Sequence, residues 1–170
     1  MSTPHVTADI DLGRLSRNVE TLKRKVNGPA LMAIVKANAY GHGLIECARA
    51  AKRGGADWLA TALPEEAIDL RKSGINGPVL TWLNTVDDRF EECISKDIDL
   101  GVNSIESLTG IVTAASKVGK RARVQVKVDT GLGRNGVTLA DLPNLISALK
   151  KAQNDGHVKV AGVFSHFAYA

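Results

Sequence analysis

Lys36 closes the apolar run Met32-Ala33-Ile34-Val35 and is followed, after Ala37, by Asn38-Ala39-Tyr40-Gly41-His42-Gly43. An amine held against apolar surroundings is pushed toward its neutral form, the form that condenses with a carbonyl. Gly41 and Gly43 bracket His42 just before an expected helix, so backbone amides and the positive helix end could receive a phosphate. The Tyr40 hydroxyl adds a donor. A strand-terminal lysine can equally reach out to solvent, and a lone Gly-x-Gly often marks only a turn. The two features together suggest a phosphorylated carbonyl cofactor.

A second group is Lys127-Val128-Asp129-Thr130-Gly131-Leu132-Gly133-Arg134. Its glycines permit backbone angles that other residues avoid and let a ligand approach closely. Arg134 offers a planar fork for a carboxylate or phenolate oxygen, though an arginine paired with a surface acid reads the same way. Asp129 is placed to orient the loop by accepting backbone N–H groups rather than to act as a base. Lys127 shares a strand face with Asp129, and an inward lysine there needs a partner or a modification. The third group is Ser165-His166, where His166 lies between Phe164 and Phe167. A histidine beside aromatics is more often a hydrogen-bonded core residue than a catalyst. His5, His42 and His157 suggest only turns and surface, and Trp58 and Trp82 suggest core or rim packing.

These groups need a scaffold, and the patterning supplies one. Leu12, Leu15, Val19, Leu22 and Val26 form one apolar stripe of a helix that Asp11 can cap. Residues 5–10 read as a short strand before it. Strands are expected at 30–36, 57–61, 78–83, 99–102, 123–129 and 159–166. Helices are expected from Leu44 to Gly54, at 64–72, 85–95 and 104–118, and from Leu139 to about Gln153. Strand–helix alternation without hairpin signals implies parallel strands joined by helical crossovers. Six strand starts, at 31, 57, 78, 98, 123 and 158, recur about every 25 residues, near the roughly 30 per unit of a (β/α)8 barrel. A doubly wound open sheet is the alternative. All three polar groups fall at C-terminal ends of expected strands, the face that lines a barrel's active site.

Composition sets the remaining bounds. The 170 residues are 44% hydrophobic and 24% charged, which suits one soluble globular domain and argues against a disordered or disulfide-scaffold chain. No apolar run is long enough to span a bilayer, and Asp9 and Asp11 stand where a signal peptide needs apolar residues, so a cytoplasmic location is expected. Cys47 and Cys93 lack metal-ligand spacing and read as buried free thiols, so no metal is expected. The net charge of +4 is mild, and aromatics make up only 4%. The basic clusters Arg14–Arg17–Lys23–Arg24–Lys25 and Lys117–Lys120–Arg121–Arg123 therefore read as solvated helix faces rather than nucleic-acid sites.

The segment from Ala33 to Gly43 closely resembles the pyridoxal-phosphate attachment motif of the alanine racemase family. Gly55-Ala56-Asp57-Trp58-Leu59-Ala60 with Pro64-Glu65-Glu66-Ala67, then the stretch from Lys127 to Gly136, and Ser165-His166-Phe167-Ala168 resemble it in the same order. The resemblance implies an N-terminal (β/α)8 barrel followed by a C-terminal β domain, working as a homodimer with sites at the subunit interface. It implies that Lys36 holds pyridoxal 5'-phosphate as an internal aldimine and serves as one of two bases. Tyr40 would bond the phosphate, and Arg134 would face the cofactor's phenolic oxygen and the substrate carboxylate. Lys127 matches a lysine carbamylated in many members, and His166 would belong to a hydrogen-bond network behind the second base. The activity implied is interconversion of L- and D-alanine, supplying D-alanine for peptidoglycan. A related D-amino-acid dehydratase, aldolase or decarboxylase fits the loop less well. A non-catalytic pyridoxal-phosphate-binding half-barrel and a plain phosphate-binding barrel are the other readings.

Six strands are two short of a closed barrel. Residues 1–170 are therefore expected to be the N-terminal portion of the barrel, without the C-terminal β domain and its tyrosine base. The isolated chain is expected to be marginally stable or self-associated. A cooperative, concentration-independent melt of a monomer, read by calorimetry and ultracentrifugation, would refute that.

Overall fold

The structure, a computed structural model, describes residues 6–85 and 89–168. Six parallel strands form one sheet: β1 (Met32–Ile34), β2 (Trp58–Thr61), β3 (Val79–Thr81), β4 (Asp99–Val102), β5 (Ala122–Lys127) and β6 (Val158–Phe164). Their order in the sheet is their order in the chain. Each strand is thus added beside the last, with no reversal of the kind that splits a doubly wound sheet. Of the two expected architectures, the fold is the incomplete α/β barrel, with six of the eight strands.

The helices are α1 (Leu12–Val26), the short left-handed element α2 (Lys36–Tyr40), α3 (Leu44–Arg53), α4 (Pro64–Lys72), α5 (Phe90–Ser95), α6 (Ile105–Val118) and α7 (Leu142–Asn154). Local chemistry sets their ends. Asp11 accepts from the Arg14 amide at 2.9 Å, and Ser104 accepts from the Ser107 amide at 3.1 Å, as N-cap residues should. Gly119 takes the left-handed conformation that closes α6. Leu100, Val102, Val124 and Val126 join the core with Ile68, Ile111 and Leu145 of the helices. Each fully buried side chain of this kind contributes about 1.5–3 kcal/mol relative to exposure. The other face carries Ala60 and Leu80 on β2 and β3 but polar groups on β4 and β5: the buried Asp99 carboxylate accepts from Arg123 Nε at 2.8 Å and Gln125 Nε2 at 3.0 Å. Its hydrogen bond to Asp99 raises the Arg123 pKa.

Several expected boundaries shift. Residues 6–10 form no strand: Val6 is 88% exposed and the segment has no ladder partner, while residue 5 lies outside the described residues. The helix expected from residue 85 begins at Phe90. Leu83 and Asn84 are instead held at the strand end, by the Ala62 carbonyl at 2.8 Å and the Gly101 carbonyl at 2.8 Å, and residues 86–88 are outside the described set. The last helix starts three residues later than expected, at Leu142, because Thr138 and Asp141 form a turn through their own side chains. β6 ends at Phe164, leaving Ser165 and His166 beyond the ladder. Both cysteines are buried and neither is in a disulfide. No described helix is long and apolar enough to cross a membrane, and no described cluster of His, Cys, Asp or Glu could hold a metal ion. The second basic cluster is engaged within the fold, with Lys117 on Glu91, Lys120 on Asp97 and Arg123 on Asp99.

Helix α1 is fixed to the barrel at two points. It packs so closely on Gly54 that a Cβ there would meet the Ser16 carbonyl oxygen at 2.3 Å. Asp57 Oδ2 accepts from Lys23 Nζ of α1 and from the Leu31 amide, both at 2.6 Å. The Lys23 hydrogen bond, and secondarily the Leu31 amide, hold the Asp57 carboxyl below its ordinary pKa. A carboxyl lowered in the folded state contributes stability above its unfolded pKa, about 3.9, that is lost as pH falls through the lower folded value. Asp57→Asn is expected to lower the thermal midpoint at neutral pH and to flatten its fall between about pH 5 and pH 2. Superimposable acid profiles for the two proteins would show that Asp57 holds nothing.

Candidate active site

Parallel strands deliver their C-terminal ends to one edge of the sheet, and the three polar groups read from the sequence meet there. Lys36 follows the buried Val35 past the end of β1, half-buried, with its Nζ 5.3 Å from the centre of the Tyr40 ring. Between them, Ala37, Asn38, Ala39 and Tyr40 all have φ between +50° and +54°. A run of non-glycine residues in this region disfavours itself by roughly 1–2 kcal/mol per residue, so hydrogen bonds must hold it. The Ala39 amide donates to the Val35 carbonyl at 2.9 Å, and the His42 amide to that of Ala39 at 3.2 Å. His42 Nδ1 also lies 2.8 Å from the Ala39 carbonyl, so this histidine braces the turn.

One expectation fails here. The Gly41 and Gly43 amides do not face an open anion site: both donate to the Asn38 carbonyl, at 3.0 and 3.1 Å, and the Leu44 amide donates to Asn38 Oδ1 at 2.7 Å. The left-handed turn curls back and consumes them. Glu46 also folds over the start of α3, its Oε2 lying 2.7 Å from where a Gly43 Cβ would sit.

The loop after β5 behaves as its composition suggests. Asp129 accepts from the amides of Gly131 at 3.0 Å and Gly133 at 3.1 Å, and these hydrogen bonds lower its pKa. Lys127 is the last residue of β5 and is buried, donating to the Asn135 carbonyl at 2.5 Å. Burial first, and the neighbouring Arg134 charge second, lower its pKa, while Asp129 opposes the shift. Asn135 Oδ1 is buried and has no hydrogen-bond partner. Arg134 itself is exposed. Thr130 and Ser165 hydroxyls hydrogen-bond each other, tying this loop to the end of β6. His166 is not the core residue that its aromatic neighbours suggest. It lies exposed past the last ladder pair, with Nδ1 2.7 Å from the Phe167 carbonyl.

The structure thus joins Lys36 with Tyr40, and Lys127 with Arg134, on strands four apart in the sheet order. In an eight-strand ring those positions stand opposite each other. Two supporting residues escaped the sequence reading: Asn135, which gives Lys127 its carbonyl partner, and Glu66, whose Oε1 accepts from the Asn38 amide at 3.2 Å. Glu66 carries a signal that could have found it, being the third residue of a helix that opens with proline.

The family model for the alanine racemase N-terminal domain matches residues 10–170. The chain is 46% identical over 163 residues to an alanine racemase of Frankia casuarinae, covering 96% of this chain and 42% of that protein. It is 45% identical over 161 residues to an alanine racemase of Salinispora tropica, covering 95% and 43%. Among solved structures, alanine racemase from the D-cycloserine-producing Streptomyces lavendulae superposes with a TM-score of 0.93 at 49% identity, covering 94% of this chain and 42% of that one. Alanine racemase from Streptomyces coelicolor A3(2) gives a TM-score of 0.91 at 42% identity, covering 94% and 43%. The chain therefore spans about two fifths of the length of the relatives it matches. Its motifs, its fold and these matches agree: the chain belongs to the alanine racemase N-terminal-domain family.

Proposed function

We propose that residues 1–170 form the lysine-bearing N-terminal portion of the barrel of an alanine racemase, a cytoplasmic enzyme that works as a homodimer and supplies D-alanine for peptidoglycan. The observation that carries the reading is the pairing of Lys36 and Tyr40 at the end of β1, Nζ 5.3 Å from the ring, in a chain of this family. In this reading Lys36 would hold pyridoxal 5'-phosphate covalently, Tyr40 would donate to its phosphate, and Arg134 would donate to its phenolic oxygen and to the alanine carboxylate. The donor set is suited to that cofactor: a half-buried amine, an exposed phenol and an exposed guanidinium on one rim. The Gly41 and Gly43 amides, already bonded to Asn38, contribute nothing to the phosphate. Pyridoxal phosphate, when bound, supplies the electron sink that lets the Cα proton of alanine leave.

Lys36, once its amine is free, takes or returns that proton at one face of Cα. The opposite base belongs to a C-terminal β domain contributed by the partner subunit, and His166 belongs to the network behind it. Lys127 reacts with carbon dioxide. Its neutral amine nitrogen forms a bond to the carbon, one proton is released, and the carbamate carries one negative charge. Its lowered pKa favours the neutral amine that this step requires.

Incubation with pyridoxal phosphate, borohydride reduction and peptide mapping are expected to place the label on Lys36, and Lys36→Ala is expected to abolish it. Label spread over surface lysines with none enriched at Lys36 would sink the reading. The chain alone is expected not to invert alanine, as chiral chromatography would report. A carbamate carbon should appear at Lys127 by ¹³C NMR in labelled bicarbonate and be lost in Lys127→Ala; its absence from the wild-type chain would exclude the modification.

A further inference from the structure

We propose that Glu66 is a positioning residue of this site, one that holds Lys36 and Tyr40 in place through Asn38. The proposal rests on the reading that Lys36 is the cofactor lysine. Glu66 is the third residue of α4, and its Oε2 accepts from the amides of Ala62 and Leu63, both at 3.2 Å. That half of the carboxylate is an ordinary helix cap. The other half is not: Oε1 leaves its own element and accepts from the Asn38 amide, 28 residues earlier in the chain, at 3.2 Å.

Asn38 is the hub of the left-handed turn. It lies two residues after Lys36 and two before Tyr40, with φ +53°. Its carbonyl takes the amides of Gly41 and Gly43, and its side chain takes that of Leu44 at the start of α3. Asn38 thus shapes the turn internally, and Glu66 joins the turn to the β2–α4 loop. The Glu66 side chain is only half-buried, so no packing requirement explains a carboxylate there. A carboxylate is needed because the site presents three backbone donors and no acceptor.

Glu66→Gln separates the two halves. Glutamine keeps one carbonyl oxygen, which satisfies more donors by facing Ala62 and Leu63 than by facing Asn38. Its amide N–H₂ then opposes the Asn38 N–H, and the contact to the turn is lost while the helix cap remains. Hydrogen exchange of the cofactor-free chain is expected to quicken at residues 38–44 and to stay unchanged at Ala62 and Leu63. The dissociation constant for pyridoxal 5'-phosphate, followed by absorbance and by borohydride trapping at Lys36, is expected to rise about tenfold or more. Helix content and thermal midpoint should stay close to those of the wild type, so a purely structural role would leave the cofactor constant unmoved.

Asn38→Ala provides an independent route, since it loosens the turn without touching α4. It should raise the same constant, and the double variant should exceed the larger single effect only slightly. Unchanged exchange at 38–44 in Glu66→Gln overturns the proposal, whatever the cofactor result. Unchanged cofactor affinity in Glu66→Gln, where the wild-type chain does label at Lys36, overturns it equally. Failure of the wild-type chain to label at Lys36 would instead refute the reading of function, and exchange would still decide whether Glu66 holds the turn.

Discussion

Parallel pairing in chain order is the constraint on which everything else here depends. Each strand can meet its neighbour only after a crossover helix, so every strand ends at the same edge and every helix α3–α7 can cover the same face. Two consequences follow. Lys36 and Lys127, distant in the chain, reach one rim because β1 and β5 both end there. The opposite end of the sheet is left free for a purely structural task, taken by Asp99 with Arg123 and Gln125. That buried anion is paired and hydrogen-bonded, as burial requires.

The rim handles its two lysines differently. Lys36 is half-buried, with its Nζ 5.3 Å from the centre of the Tyr40 ring, and is not enclosed. Lys127 is enclosed, has a carbonyl partner and faces the like charge of Arg134. As an ammonium it is disfavoured by both burial and its neighbour. Converted to a carbamate it would change sign, and the repulsion from Arg134 would become an attraction. The environment that penalises the unmodified side chain is thus the one that would retain the modified one.

Much of this was legible in the sequence because its signals were local. The apolar stripe of α1, Pro64 opening α4, Ser104 capping α6 and the alternating valines of β5 each report their own element. The Asp129 loop was legible for the same reason, since its glycines and carboxylate sit within a few residues of each other. What was not legible depended on partners distant in sequence. Residues 6–10 look like a strand but have nothing to pair with, and His166 looks like a core residue but lies past the end of its strand. The amides expected to face a phosphate were misread because nothing in Ala37, Ala39 or Tyr40 announces a left-handed turn.

The two rim loops solve one problem by opposite means. After β5 the positive-φ positions 131, 133 and 136 are glycines, so the loop needs little beyond Asp129 to hold its shape. After β1, besides Gly41 and Gly43, the positive-φ positions 37 to 40 carry side chains, of which only Asn38 tolerates that region well. At roughly 1–2 kcal/mol each, the run opposes the fold by about 4–8 kcal/mol, comparable with the 5–15 kcal/mol net stability of a typical domain. Such a turn does not persist on local bonds alone; it needs the surrounding barrel, through the Val35 amide on the Ala60 carbonyl and the Asn38 amide on Glu66. The lysine beside it therefore inherits its position from the global fold, and loosening those contacts releases the strain directly into the geometry of Lys36 and Tyr40.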